Sequence, residues 1–297
     1  MKNIFSFIIF LTVVLITQVS FAEVKLTQPV IDLIKSNKFA IRFAVTSELD
    51  NSTQIDQNAM KYMKDHDMRT VNTIVFDGNN ALTVTESYGN YPEMQMYGLP
   101  KQQHNSFATL YSNGESYVIM EKGKGVLYNA TFEPNVKNIQ QITHYVGTNN
   151  KQGTMAFDAA YRQFVYYLLP LLPEMNSSTD LQGNEVKLNN CTVFSKTGEA
   201  NYGGQNYQFE EYKTPDNYIA PMVTRYYFKD GKLVKILQIS KRKEIDADVE
   251  TKNAFGADKI KLGHLGIVDV LEITNTFNPA CLQVPKGIKI MDFTSPF

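Results

Sequence analysis

Tryptophan is absent from the 297 residues, cysteine occurs twice and histidine four times. Cys191 and Cys281 lack the paired spacing of a zinc motif, and His66, His104, His144 and His264 are scattered, so no metal and no cofactor is expected. An excess of charge of one sign is missing too. With 29 basic side chains against 30 acidic ones, nothing offers the strongly basic face that a phosphate backbone selects, and nucleic acid is not an expected partner.

Long apolar runs are missing after the first residues. The chain opens Met1-Lys2-Asn3, runs apolar from Ile4 to Ile16 and closes that stretch with Thr17-Gln18-Val19-Ser20-Phe21-Ala22. A basic start, an apolar middle and small residues at the end describe a secretory signal peptide over residues 1–22, with cleavage expected before Glu23. The run is shorter than the ~20 residues that a spanning helix needs. The mature chain is therefore expected outside the cytoplasm, in the periplasm or cell envelope or further out. In an oxidising compartment Cys191 and Cys281 are the expected structural disulfide. Residues 23–297 are long enough to bury a large core and are expected to form a single domain.

What the sequence does hold is strands. Tyr207 and Phe209 alternate with Gln208 and Glu210, the two-residue period of a half-buried strand. Val223 to Phe228 follows, then Asp230-Gly231, the pair that permits the positive φ of a tight hairpin, and then Leu233 to Ser240. In that return strand Leu233, Leu237 and Ile239 are expected on one face and Val234 and Ile236 on the other. Earlier, Phe39, Ile41, Phe43 and Val45 give another strand, and Asp77-Gly78 and Asn113-Gly114 mark two more hairpins. Repeated turns one strand length apart predict an antiparallel meander; the helical crossovers of a parallel α/β fold are missing.

Two helices interrupt the strands. Leu26 to Ser36 carries Leu26, Val30, Leu33 and Ile34 at helical spacing, with Thr27 placed to cap and Pro29 in the first turn. Ala156 to Leu172 is apolar over one wide side, through Phe157, Ala160, Tyr161, Phe164, Val165, Leu168 and Leu169, and needs a sheet to cover it.

No catalytic motif emerges. Glu210 and Glu211 are neighbours on a strand and point to opposite faces, so the two alone cannot form a paired-carboxylate site. Ser195 lacks the glycine frame of a nucleophile elbow. Seventeen tyrosines and eighteen phenylalanines suit either ordinary core packing or a sheet face that lines a ligand cavity.

The segment Asn201-Tyr202-Gly203-Gly204-Gln205-Asn206-Tyr207-Gln208-Phe209-Glu210-Glu211-Tyr212, followed by Arg225-Tyr226-Tyr227-Phe228-Lys229-Asp230-Gly231-Lys232-Leu233-Val234-Lys235-Ile236, resembles exported bacterial proteins of the LolA/LolB/LppX-like superfamily. The early helix, the Phe39 to Phe43 strand and the hairpins after it are similar too. The resemblance implies an α+β fold, a strongly curved antiparallel β-sheet (a half-barrel) with one or two helices covering the concave face. It also implies a non-enzymatic carrier or chaperone that holds a lipid or lipoprotein acyl chain noncovalently, with an envelope membrane protein as a further partner. The resemblance transfers no ligand residue; in a fold of that kind the apolar side chains expected to line the cavity are Phe157, Phe164, Leu168, Phe209, Tyr226 and Ile236. An envelope-stress sensor of the same fold, a secreted hydrolase with an unrecognised site and a structural or adhesion-like module stand as alternatives.

Overall fold

The computed structural model describes residues 25–50, 61–78, 80–123, 125–146, 167–168, 171, 177–179, 185–187, 193–214, 222–241, 245–246, 259–260 and 263–294. The expected signal segment lies outside them, as do Phe157, Phe164 and Cys191.

Among the described residues, the helix α1 (Gln28–Lys35) precedes sixteen strands. They are β1 (Phe39–Asp50), β2 (Arg69–Phe76), β3 (Ala81–Asn90), β4 (Gln102–Ser112), β5 (Glu115–Glu121), β6 (Ile139–Tyr145), β7 (Ser177–Thr179), β8 (Glu185–Lys187), β9 (Val193–Tyr202), β10 (Gln205–Lys213), β11 (Met222–Lys229), β12 (Lys232–Lys241), β13 (Ile245–Asp246), β14 (Lys259–Ile260), β15 (Gly263–Thr274) and β16 (Ile290–Phe293). Twelve of them build one open sheet in the order β16-β6-β5-β4-β3-β2-β1-β15-β12-β11-β10-β9; β7 pairs with β8 and β13 with β14. The hairpins form where the turn residues allow a left-handed backbone: Asn113 and Gly114 have φ of 54° and 82°, Asp230 and Gly231 of 51° and 73°.

The expected antiparallel pairing holds through most of the sheet but not at one edge, where β16 runs parallel to β6. The chain reaches that edge after the 3-10 turn Pro279–Leu282 has packed Cys281 and Leu282 into a core cluster, and it pairs with the backbone that β6 leaves free. A second difference lies in β12. Tyr227 pairs with Lys235 but Phe228 with Leu233, so Val234 is an extra residue. That bulge turns Leu233 onto the face of Ile236, away from Leu237 and Ile239 where strict alternation would put it. Similar register shifts occur in the β1–β15, β9–β10 and β5–β6 pairs, each one bending a strand.

Both faces of the sheet are used. On one, α1 packs Val30, Ile31 and Ile34 into a cluster with Phe39, Ile41 and Phe43 of β1, Tyr226 and Phe228 of β11, Ile236 of β12 and Val268 of β15. Thr27, expected to cap α1, makes no side-chain cap; its hydroxyl donates to Glu210 Oε2 at 2.6 Å instead. The Leu26 amide donates to the other oxygen of the same buried carboxylate, and the Tyr212 hydroxyl donates to it at 3.2 Å. The start of the helix is thus fixed to β10 by a buried acid rather than by its own cap. On the opposite face, Leu82, Val84, Ala108, Leu110 and Ile119 are covered by Leu127, Tyr128 and Phe132 and by Cys281 and Leu282. A smaller cluster of Phe209, Tyr227 and Leu237 lies further along.

Candidate functional site

Cross-strand register shows how the helix-bearing face changes along the sheet. One row runs Val270, Phe43, Asn72, Thr85, Phe107, Met120, Gln141 through β15, β1, β2, β3, β4, β5 and β6. Its aromatic start is buried beneath α1, whereas Phe107 and Met120, opposite each other, are each 50% exposed. The next row, Val45, Thr70, Ser87, Asn105, leads to a cleft of about 420 Å³. Its walls are Val45, Met63, Met68, Arg69, Thr70, Ser87, Tyr88, Gly89, Tyr91, Met94, Leu99, Gln103 and Asn105.

The apolar side of this cleft comes from two short segments that bracket β2 and β3. Residues 61–65 are helical and carry Met63, while the 3-10 turn Pro92–Tyr97 carries Met94 and ends at Gly98 with φ of 70°. His66 ties the two together. Its carbonyl accepts from the Asn90 amide at 2.6 Å, its Nδ1 lies 2.7 Å from the Tyr62 carbonyl, and its Nε2 lies 3.4 Å from Glu93. Its ring also sits 5.4 Å from the ring of Tyr91. Gly89 makes room for Tyr91, since a Cβ there would come within 2.5 Å of the Tyr91 ring. Methionine suits such a wall because its unbranched side chain adapts to irregular apolar partners.

A second, polar cleft of about 380 Å³ lies at the same strand ends but on the other face of the sheet, where Arg69, Tyr88 and His104 form the cross-strand row next to Thr70, Ser87 and Asn105. It is lined by Asp67, Arg69, Tyr88, Gly89, Asn90, Gln102, Gln103 and His104, sharing Arg69, Tyr88, Gly89 and Gln103 with its neighbour. The Arg69 guanidinium lies over the Tyr88 ring at 5.0 Å, and the Tyr88 and His104 rings are 4.6 Å apart. Beneath them Glu86 is buried. It accepts from Arg42 at 3.0 Å and from the Tyr88 hydroxyl at 3.0 Å, and His104 stands 3.6 Å from both Glu86 and Glu121. Burial, then the Glu86 charge and hydrogen bond, push the Tyr88 hydroxyl up to about 12, so it stays a neutral donor. Asn90 Oδ1 and His104 Nε2 are buried without a hydrogen-bond partner among the described residues.

A further depression of about 640 Å³ lies between two hairpin ends, walled by Asn201, Asn206, Gln208, Lys229, Asp230 and their neighbours. Those walls are mostly strand residues, polar at Glu199, Asn201, Asn206, Gln208 and Lys229 and apolar at Ala200, Tyr207 and Phe228. Among the described residues no group of three or more His, Cys, Asp or Glu could hold a metal ion.

Of the residues expected to line a cavity, the described ones, Leu168, Phe209, Tyr226 and Ile236, border neither cleft. Leu168, Tyr226 and Ile236 belong to the cluster beneath α1, where the Tyr226 hydroxyl donates to the Tyr167 carbonyl at 2.6 Å. All three are fully packed and touch neither cleft. Phe209 does not share their face: it pairs with Tyr227 and packs with Leu237 on the opposite side. Phe157 and Phe164 lie outside the described residues. Cys281 is buried with a free thiol that burial pushes up to about 12, and its expected partner Cys191 lies outside the described residues. Glu210 and Glu211 do point to opposite faces. Glu210 meets α1, and Glu211 accepts from Arg225 at 2.6 Å and from Ser195 at 3.2 Å. Burial alone would raise Glu211, but the Arg225 hydrogen bond and charge, with Lys196 and Ser195, outweigh it and hold the carboxyl below its ordinary range.

The cleft residues escaped the sequence reading because each is local to a polar stretch. The available signal was the run of methionines at Met60, Met63, Met68, Met94 and Met96, apolar side chains in segments otherwise too polar to be core.

No protein-family model and no curated protein matches the chain. Among solved structures, a domain from Vibrio parahaemolyticus described as an outer membrane lipoprotein-sorting protein is similar over 80% of this chain and 85% of its own, with 8% identity and a TM-score of 0.16. At that score the likeness carries no weight for fold or function.

Proposed function

We propose that this protein is an exported, non-enzymatic envelope protein that holds a lipid or lipoprotein acyl chain in the methionine-lined cleft. The observation that carries the reading is that cleft, about 420 Å³ with Val45, Met63, Met68, Met94 and Leu99 on its walls, beside the half-exposed Phe107 and Met120 on the helix-bearing face. In this reading that face is the concave side of a bent sheet, α1 with Tyr167, Leu168 and Leu171 closes its far part, and the cleft is the mouth. Four register shifts supply the bending.

The energetics suit noncovalent capture. Each methylene removed from water contributes about 0.8 kcal/mol before ordering costs, so a chain that buries even half its length is held without any reacting group. Methionines accept chains of different length and branching because they repack.

The test is titration of the purified mature protein with a fluorescent fatty acid, alongside the double variant Met94→Asp, Leu99→Asp. Both positions are at least partly exposed, so the variant should fold, as circular dichroism would check. Saturable binding by the wild type and a loss of at least about tenfold in the variant is the expected result. Absence of saturable binding by the wild type overturns the reading.

A further inference from the structure

The polar cleft opens on the face of the sheet opposite the methionine wall, so what it binds is independent of the acyl-chain reading. Three neighbouring segments build it: Asp67 and Arg69 at the entry to β2, Tyr88 and Asn90 where β3 ends, and Gln102 and His104 where β4 begins. Register sets Arg69 beside Tyr88 and Tyr88 beside His104, with Asn90 beside Gln102 in the next row on the same face. Asp67 and Arg69 carry opposite charges two residues apart, yet neither forms an ion pair among the described residues, with the other or with any neighbour. Each is held by something else. The Arg69 guanidinium lies over the Tyr88 ring at 5.0 Å, which leaves its in-plane N–H groups free for an anionic oxygen. Asp67 sits on a left-handed backbone, φ 46°, with its amide donating to the Lys64 carbonyl at 3.1 Å. In the same cleft Asn90 Oδ1 is a buried acceptor with no donor among the described residues.

We propose that this cleft binds a small zwitterion, an α-amino acid or a dipeptide, with its carboxylate on Arg69 and its ammonium on Asp67 and Asn90. Charge selects that class. A lone anion that reached Arg69 would meet Asp67 in the same cleft and, beneath Tyr88, the buried Glu86 carboxylate; a lone cation at Asp67 would meet Arg69. A ligand with both charges satisfies the two groups at once and supplies the N–H that the Asn90 oxygen lacks. The Tyr88 hydroxyl already donates to Glu86, which leaves the ligand's charges to Arg69 and Asp67. A cleft of about 380 Å³ has room for a molecule of that size.

The experiment is an NMR titration of the purified mature protein that follows the side-chain amide of Asn90. The probes are L-alanine and L-alanyl-L-alanine, each beside its N-acetylated form and its C-terminal amide, with glucose as an uncharged polyol. At least one free zwitterion should shift the Asn90 signal saturably and bind about tenfold or more tighter than either of its capped forms. Each variant should then erase one preference. Asp67→Asn, which keeps the fold because asparagine tolerates the left-handed backbone, should bring the free and N-acetylated forms to within about threefold while the amide stays weaker. Arg69→Ala should do the converse, bringing the free form and the amide to within about threefold. No saturable shift with either zwitterion, equal affinity for free and capped forms, tighter binding of glucose, or preferences that survive both variants each overturns the proposal, and none of these results bears on fatty-acid binding at the other face.

Discussion

Two regions of the same sheet face do opposite things with the same kind of residue. Beneath α1, Phe39, Ile41 and Phe43 meet Tyr226, Phe228 and Ile236 in a fully buried cluster. Three strands further along the same rows, Phe107 and Met120 face each other half exposed, and beyond them Met63 and Leu99 border a cleft. The first region has an amphipathic helix fastened over it by a buried acid; the second has, among the described residues, short segments joined through His66. What decides between core and cleft is which backbone arrives to cover the side chains, not how apolar they are.

The sharpest way to break the contrast is to truncate equivalent aromatics from the two regions. Phe43→Ala should cost about 3–5 kcal/mol in denaturant unfolding, because it removes a buried ring and leaves a cavity. Next in size is Glu210→Ala. It deprives the Leu26 amide and the Thr27 and Tyr212 hydroxyls of a buried acceptor, and should cost about 1–3 kcal/mol and raise hydrogen exchange in α1 first.

The opposite face supplies a pH test. Glu211 is held below its ordinary range, so its contribution is present above the unfolded carboxyl value of about 4.3 and is lost as pH falls through the lower folded value. The stability difference between wild type and Arg225→Met should therefore be present at pH 7 and shrink in acid below about pH 4, read from urea midpoints. A difference that is constant with pH would mean that Arg225 acts only through packing on Phe209, over whose ring it lies at 5.0 Å. The smallest effect on stability belongs to Phe107→Ala, under about 1 kcal/mol because half the ring already meets water, yet that variant should bind the fluorescent fatty acid measurably more weakly.

Much of the fold was legible because its signals are local. Asn113-Gly114 and Asp230-Gly231 announce their hairpins, and Pro29 with Val30 and Ile34 announces α1. Two features were not. The bulge at Val234 depends on how Phe228 meets Leu233 across the strand pair, and no period along β12 reveals it. The parallel edge depends on where the chain emerges after Cys281 and Leu282 are packed. The site was less legible still. The most apolar stretches pointed to Leu168, Tyr226 and Ile236, and those side chains were consumed by the core. The cleft draws on residues from Val45 to Asn105 that meet only because β1 to β4 are adjacent, and its methionine wall is a property of that meeting.

Photo-crosslinking with a palmitate analogue that carries a diazirine near the end of its chain, followed by peptide mass spectrometry, tests the central claim most directly. The account predicts adducts on Met63, Met68, Met94 or Leu99, competed away by unlabelled palmitate. Adducts confined to another surface, such as the depression around Asn201 and Asp230, or labelling that palmitate does not compete, would contradict it.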